Sequence, residues 1–449
     1  MKNSDFIIDY NFLDNYDIDF LVENLIIPLK TKGVYFDCLY CDETNFDFLK
    51  ENWIIRKTFL SKENILFFLS DIKTRKKLFN LSLDAISKEN SKSDFIKEFF
   101  ELLLTKAIEE RSSDIHIESL ENCINIRFRI DGNLKMFYIF KKEFLKVISS
   151  YIKMVSKLDI TQNRIPLDGS FCLYIKENKK IDFRVSTMPT IYGESIVIRV
   201  LSNLTIAKDI KSLGFSDHIY NKIKESISLS SGLVLVAGPT GSGKSTTLYS
   251  ILNELNQENK KIITVEDPVE YKMKHIQQVE INESLGIDFN TILRNILRQD
   301  PDIILIGEIR DKTSLDLALQ ASLTGHLVFA SIHANNTLET ITRLKDLKAN
   351  EYLLYSSLKY IYSQRLVLKI CKECNNKGCK KCNYTGFYGR CCIAEILKID
   401  KRLSPYILEN KNVETYLKEI DFKSMLNDGE EKVKENITTL DEVYKAIDV

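Results

Sequence analysis

The sequence predicts an α/β protein of several domains, and three observations carry this prediction. In the second half, short and continuously apolar segments alternate with helical stretches, which is typical of a parallel sheet covered on both faces. In the first half, apolar and polar residues alternate between turn signals, which indicates an antiparallel sheet. The chain has 449 residues, too many for one hydrophobic core.

The composition is that of an ordinary globular protein, with 44% hydrophobic and 28% charged residues. Lysine plus arginine number 63, as do aspartate plus glutamate, so the formal net charge is zero. Because nucleic-acid-binding proteins usually carry a basic surface, we expect no direct nucleic-acid partner. No stretch is apolar over the ~20 residues that a membrane span needs, and no secretory signal is evident, so we expect a cytoplasmic protein.

The first 95 residues are rich in aromatic and aliphatic side chains, with acidic residues interleaved among them. We assign residues 1–95 to a small N-terminal, partner-docking domain. The alternative is a small α/β domain whose acidic face is simply solvated.

Residues 96–205 have the pattern of a mixed α/β domain with an antiparallel sheet. A helical pattern comes first, Asp131-Gly132 is a hairpin turn signal, and a second turn is expected around 189–193. The predicted strands are 111–118, 124–130, 134–140, 181–185 and 195–201.

Residues 238–245, Gly-Pro-Thr-Gly-Ser-Gly-Lys-Ser, match the phosphate-binding loop G-x-x-x-x-G-K-[ST] at every fixed position. A buried strand at 233–237 and a helix at 245–255 are predicted on either side, which argues against a chance glycine-rich turn. We therefore predict a nucleoside triphosphate site, with Lys244 on the outer phosphates and Ser245 in the Mg²⁺ shell. The residues predicted to bind the nucleotide are Gly238, Pro239, Thr240, Gly241, Ser242, Gly243, Lys244, Ser245 and Thr246.

Hydrolysis also needs carboxylates near the phosphates, and acidic residues follow two predicted strands. Glu266, Asp267 and Glu270 come just after the strand 262–265. Glu308 follows the strand 303–306 in a segment shaped like a Walker B element, in which Gly307 replaces the expected aspartate. Any one of these acids could be a helix cap or a surface charge, but their joint position favours a hydrolytic site.

Two histidines, His326 and His333, flank the predicted strand 327–332. The residues alone leave open whether this pair is structural or senses the terminal phosphate.

Four cysteines, Cys371, Cys374, Cys379 and Cys382, form two C-x-x-C pairs separated by a short loop. Four thiolates can surround Zn²⁺ tetrahedrally, and a site with no open position is structural. The alternatives are a redox pair or disulfides, which a cytoplasmic setting disfavours. We assign residues 366–395 to a zinc-binding subdomain.

Together these motifs resemble those of the secretion-motor ATPases that power type IV pilus assembly and type II secretion. The resemblance covers roughly residues 96–400. Its further motifs, in order, are Arg-Ser-Ser-Asp-Ile-His-Ile-Glu (111–118), Arg-Phe-Arg-Ile-Asp-Gly (127–132), Asp-Phe-Arg-Val-Ser (182–186), Pro-Thr-Ile-Tyr-Gly-Glu (189–194), Val-Glu-Asp-Pro-Val-Glu (265–270), residues 302–310, Thr-Gly-His-Leu-Val-Phe-Ala-Ser-Ile-His (324–333) and Thr-Gly-Phe-Tyr-Gly-Arg (385–390).

The resemblance implies a RecA-like P-loop domain at 221–449, a PAS-like domain at 96–205 and a hinge-forming linker at 206–220. It also implies a homohexameric ring that uses ATP and Mg²⁺, contacts a platform protein and associates peripherally with the inner membrane. Its implied catalytic residues are Glu270, Glu308, Lys244, Arg184, Arg199, His326 and His333, with Glu266 and Asp267 as alternatives to Glu270. Glu308 would bind Mg²⁺ or its water, Arg184 and Arg199 would approach the nucleotide in the ring, and Glu266, Arg294 and Arg298 would also lie near it.

We expect the ATPase to power type IV pilus assembly. The four cysteines resemble those of the assembly and secretion branch of the family, whereas retraction motors lack them. The alternative is an ATPase of type II secretion or of a DNA-uptake pseudopilus. Conjugation ATPases, nucleic-acid motors and non-hydrolysing nucleotide-binding scaffolds are the less favoured interpretations.

Overall fold

The computed structural model describes residues 6–49, 53–87, 92–175, 179–201, 209–282, 286–400, 402–403, 413–420 and 422–447. The chain divides into two compact units. The first comprises Met1–Asn203 and Cys371–Tyr388, and the second comprises Leu204–Ile370 and Gly389–Val449. Within the described ranges, no helix has the length and apolar character needed to cross a membrane.

The first unit contains five α-helices and two sheets among its described residues. Its helices are α1 (Ile18–Glu23), α2 (Lys62–Leu69), α3 (Ile72–Ser87), α4 (Lys92–Glu109) and α5 (Phe144–Val155). Its strands are β1 (Ile26–Lys32), β2 (Tyr35–Tyr40), β3 (Ile54–Phe59), β4 (Ser112–Ser119), β5 (Cys123–Ile130), β6 (Asn133–Lys141), β7 (Leu167–Ile175), β8 (Lys179–Thr190) and β9 (Gly193–Leu201). The larger sheet has the order β6-β5-β4-β9-β8-β7 with antiparallel neighbours, as the alternating pattern predicted.

The buried apolar residues of the first unit form a single hydrophobic core, with members from Phe6 to Ile198. Phe67 of α2 packs edge-on against Phe137 of β6, with ring centroids 4.9 Å apart, and Arg75 of α3 donates to the Phe137 carbonyl. Residues 1–95 and 96–205, which the sequence predicts to be separate domains, therefore share one core. Composition alone does not reveal this sharing, because the packing partners lie far apart in sequence.

The cysteine segment Cys371–Tyr388 also belongs to the first unit, whereas the sequence predicts that it is part of the domain 221–449. Asn383 carries two of the contacts: its carbonyl accepts from Lys135 Nζ, and its Nδ2 donates to Glu110 Oε2 at 2.6 Å. The Arg111 guanidinium stands 3.9 Å from the centre of the Tyr388 ring. These side chains place the segment against α4 and β6.

The second unit is an α/β layer structure. Its strands are β10 (Gly232–Ala237), β11 (Ile262–Glu266), β12 (Gln277–Glu280), β13 (Ile303–Ile306), β14 (Leu327–Ile332), β15 (Leu358–Ile370) and β16 (Phe387–Lys398). Its helices are α6 (Asp217–Ile227), α7 (Lys244–Leu255), α8 (Phe289–Ile296), α9 (Lys312–Leu323), α10 (Thr337–Asp346), α11 (Glu351–Ser357), α12 (Val413–Glu419), α13 (Met425–Lys434) and α14 (Leu440–Ile447). Part of the predicted linker, 206–208, lies outside the described residues.

The seven strands of the second unit have the order β12-β11-β13-β14-β10-β15-β16. From β12 to β15 each neighbouring pair is parallel, which confirms the predicted parallel sheet. Leu233 and Leu235 of β10 face one core while Val234 and Val236 face another, so both faces of the sheet are covered. Because parallel strands end at a common edge, the segments after β10, β11, β13 and β14 lie side by side.

Candidate active site

The phosphate loop connects β10 to α7 and depends on glycine at close approaches. Gly238 has a φ of 151° and Gly243 a φ of 90°. A Cβ on Gly238 would lie 2.4 Å from Ser242 Oγ and 2.9 Å from the Gln364 carbonyl oxygen. Any larger residue at 238 would therefore displace the loop from its compact form.

Lys244 is the first residue of α7 and folds back over the loop. Its Nζ donates to the carbonyls of Gly238 at 2.7 Å and Pro239 at 3.0 Å. Burial lowers the pKa of Lys244, while the negative charge of Glu308 acts in the opposite direction. The ammonium is thus held beside the loop, and Ser245 follows it, exposed in the first turn of the helix.

A strand-end cluster of Asp267, Glu308, Arg310 and His333 gathers at the carboxyl edge of the sheet. His333 Nε2 lies 3.0 Å from Glu308 Oε1, and Arg310 Nε donates to Glu308 Oε2 at 2.8 Å. Arg310 also reaches Asp267 Oδ2 at 3.4 Å, and its hydrogen bond to Glu308 raises the pKa of Arg310. The structure therefore brings together three predicted residues that follow three different strands. Sequence reasoning gave Arg310 no role, although a basic residue two positions after a strand-end glutamate was the available signal.

Gly307 occupies the position where a Walker B element usually has aspartate. Its N–H donates to the Val265 carbonyl at 2.7 Å. A Cβ at this position would lie 3.0 Å from that carbonyl oxygen and 3.2 Å from Glu266 Cα. A side chain at 307 would therefore press against the main chain of β11, and Glu308 is the carboxylate that reaches the cluster.

Glu266 and Glu270 occupy opposite environments. Glu266 is 5% exposed, and its carboxylate accepts from the Tyr249 hydroxyl, from Thr264 Oγ1 at 2.5 Å and from Gln278 Nε2 at 3.2 Å. Burial and the neighbouring Glu266 raise the pKa of Tyr249, so this hydroxyl keeps its proton and donates. Glu270 is exposed, and its side chain makes no hydrogen bond or ion pair within the described ranges. Glu266 therefore supports the end of β11, whereas Glu270 has a carboxylate available for chemistry.

Comparison with known proteins decides the family. Residues 89–445 match the family model described as "Type II/IV secretion system protein". The chain belongs to this family. The type II secretion system protein E of Klebsiella pneumoniae is 39% identical to this secretion ATPase over 368 residues, covering 76% of this chain and 74% of that protein. The type II secretion system ATPase E of Vibrio cholerae is 39% identical over 370 residues, covering 76% and 73%.

Solved structures agree with this family membership. The pilus retraction motor PilT with bound ADP has a TM-score of 0.57 and 30% identity, covering 76% of this chain and 95% of that chain. The Legionella pneumophila ATPase DotB has a TM-score of 0.62 at 23% identity, covering 77% and 94%, and supports the fold alone. The prediction of a RecA-like ATPase domain preceded by a mixed α/β domain is confirmed, and the secretion ATPase is an enzyme of the ATP-hydrolysing class.

The four cysteines of the secretion ATPase have the geometry of a metal site. Their sulfur atoms all lie within 4.8 Å of one another. The Cys371–Cys379, Cys374–Cys382 and Cys379–Cys382 sulfurs are each 3.8 Å apart. A tetrahedron with Zn–S bonds of ~2.3 Å has S···S edges of ~3.8 Å. The four cysteines therefore fit a metal ion bound by four thiolates.

Three further predicted residues of the second unit also lie outside the strand-end cluster. His326 precedes β14, at the opposite edge of the sheet from His333, and its Nδ1 lies 2.9 Å from the Ala321 carbonyl at the end of α9. Arg294 and Arg298 are exposed on and just after α8, without a hydrogen bond or ion pair in the described part of the chain. Within one chain, His326 therefore contacts the end of α9 and not the strand-end cluster.

Arg184 and Arg199 lie in the first unit, on neighbouring strands and in direct register. Both are exposed, and Arg199 Nε donates to Asp114 Oδ1 at 2.9 Å. Arg129 Nε lies 3.7 Å from the other oxygen of Asp114. The sheet therefore presents a row of arginines, of which Arg184 and Arg199 face solvent, and Arg199 is anchored on the buried carboxylate of Asp114.

Proposed function

We propose that this secretion ATPase hydrolyses ATP with Mg²⁺ to drive the assembly of a filament of pilin-like subunits. The single observation that carries the proposal is the strand-end cluster, in which Glu308 is held between His333 and Arg310 beside the phosphate loop. Bound Mg²⁺ would supply charge neutralisation at the phosphates. Ser245 and Glu308 would hold the ion or its water.

The remaining steps of hydrolysis fall to residues of this chain. Lys244 would donate to the outer phosphates in place of its contacts with the loop carbonyls. Glu270, whose carboxylate is available, would orient the attacking water and accept its proton. His333, through its contact with Glu308, would sense whether the terminal phosphate of the nucleotide is present.

The machine we favour is a type II secretion system, because the E proteins of Klebsiella pneumoniae and Vibrio cholerae are 39% identical over most of both chains. Type IV pilus assembly, which the sequence motifs put first, is the second candidate. The 30% identity to a pilus motor supports it.

The working form we propose is a homohexamer in the cytoplasm, held at the inner membrane by a platform protein. Its ring would let Arg184 and Arg199 of one copy stabilise charge on the nucleotide of another. The solvent-facing arginine row, with Arg199 steadied by Asp114, supports this role. We propose Zn²⁺ as the ion of the four cysteines, in a structural site.

The proposal is tested first on the purified protein. Lys244→Ala should lower phosphate release from ATP by about a hundredfold or more, because the charge on the outer phosphates loses its counterion. Circular dichroism should show an unchanged fold. Turnover at the wild-type rate in this variant would contradict the ATPase site.

The machine is then identified in the native host. A deletion strain is complemented with the wild-type chain or with Lys244→Ala, and secreted enzymes and surface pili are measured in parallel. Loss of secretion with pili retained supports the type II assignment, and loss of pili supports the second candidate. Loss of neither would refute both.

A further inference from the structure

Gln364 of β15 closes the base of the phosphate loop. Its Nε2 donates to the Ser242 carbonyl at 2.9 Å, and its Oε1 accepts from Thr247 Oγ1 at 2.9 Å. Ser242 lies inside the loop and Thr247 in the first turn of α7, so one amide joins the loop to the helix that follows it. All three residues are 2% exposed.

The main chain and side chain of Gln364 also explain two of the loop glycines. The Gln364 carbonyl oxygen lies 2.9 Å from the position of a Cβ on Gly238. The Gln364 Nε2 lies 3.1 Å from the position of a Cβ on Gly243. The loop therefore packs closely against this residue at both ends, and the positive φ of Gly238 and Gly243 also favours glycine at these two positions.

The neighbours of Gln364 hold it in place and extend the contact toward His333. Arg365 Nη1 donates to the Gln364 carbonyl at 3.2 Å, and Arg365 Nη2 donates to Asn335 Oδ1 at 3.1 Å. Ser363 Oγ donates to the Asn335 carbonyl at 3.1 Å. Asn335 is two residues beyond His333, so β15 anchors both the phosphate loop and the turn after β14.

We propose that Gln364 is a positioning residue for the nucleotide, because its amide holds the phosphate loop in its binding conformation before the nucleotide arrives. Removing the amide leaves the Ser242 carbonyl and the Thr247 hydroxyl buried without this partner, so the loop must reorganise to satisfy them. The proposal rests on the ATPase activity of the family and is independent of which machine the enzyme serves.

The test compares Gln364→Met with Tyr362→Phe. Methionine keeps the length of the side chain and removes both hydrogen bonds. Tyr362 lies on the same strand as Gln364, and Tyr362→Phe removes its buried contact with Ser226 of α6, away from the loop. Gln364→Met should raise the Kd for fluorescently labelled ADP and the KM for ATP by about tenfold, since the loop pays an ordering cost on binding. Its kcat should change less than about threefold, because this cost is common to the ground state and the transition state.

Thr247→Val keeps the test decisive if Gln364→Met does not fold. It removes one of the two bonds and should raise the Kd for labelled ADP by about threefold. In the double variant, Thr247→Val should add less than twofold to the effect of Gln364→Met, because both act through one amide.

Three results would overturn the proposal: an unchanged Kd in either folded loop variant, a fall in kcat with KM unchanged, or an equal rise in Kd in Tyr362→Phe. Failure of the wild-type protein itself to bind labelled ADP would instead refute the ATPase site. The two failures are therefore distinguishable.

Discussion

Gly307→Ala is the substitution for which the structure makes the sharpest prediction. In a site with room, glycine to alanine stabilises a protein by ~0.4–1 kcal/mol through the unfolded chain. Here the new Cβ would meet the Val265 carbonyl oxygen at 3.0 Å and Glu266 Cα at 3.2 Å, both main-chain atoms of β11. Overpacking against atoms that cannot rotate away costs ~1–3 kcal/mol. We therefore expect a net loss of about 1–2 kcal/mol in the free energy of unfolding.

The measurement is scanning calorimetry of the wild-type protein and the variant. The transition of the second unit is the one that Mg²⁺–ADP shifts upward, because a ligand stabilises the unit that binds it. Gly307→Ala should lower the Tm of that transition by roughly 2–8 °C, at about 2–4 °C per kcal/mol for a unit of this size. A Tm above that of the wild-type protein would refute the reasoning, because it would mean that the strand yields to the methyl group.

The control is Ile306→Val, which removes a methylene one residue earlier in β13. It should cost ~0.5–1.5 kcal/mol by opening space, the reverse of overpacking. Its rate of ATP hydrolysis should stay near the wild-type value, whereas Gly307→Ala should lower the rate, because the displaced chain carries Glu308. Equal rates in the two variants would contradict the coupling between this glycine and the active site.

Two further predictions concern charge and metal. Glu308→Gln should lower kcat about a hundredfold while ADP still binds, because the amide keeps the shape of the side chain but loses the negative charge proposed to bind Mg²⁺ or its water. Phosphate release and ADP titration measure this, and a loss under tenfold would contradict the proposed role. Elemental analysis should find close to one zinc per chain, and the double variant Cys371→Ser, Cys374→Ser should lose both the metal and the protection of α4 amides from hydrogen exchange. A stable wild-type protein without metal would exclude the zinc site.

Much of the second unit was predictable because its signals are local. A phosphate loop is read within eight residues, and the apolar strands 303–306 and 327–332 coincide with β13 and β14. Chain direction in a parallel sheet then places Glu308 and His333 at the same edge, which the structure confirms at 3.0 Å. The spacing of the four cysteines likewise predicts that they form a cluster.

The sequence by itself therefore determined the family, and it predicted the phosphate loop, the acidic residues after two strands and the cysteine site. The tertiary structure alone decided which partner each residue meets. Gln364 meets Ser242 across 122 positions only because β15 lies beside β10. Glu266 is buried, Gly307 lies tight against the main chain of β11, and Cys371–Tyr388 joins the first unit. The physical reason is that periodicity and spacing encode local conformation, whereas strand order and core sharing depend on contacts between distant residues.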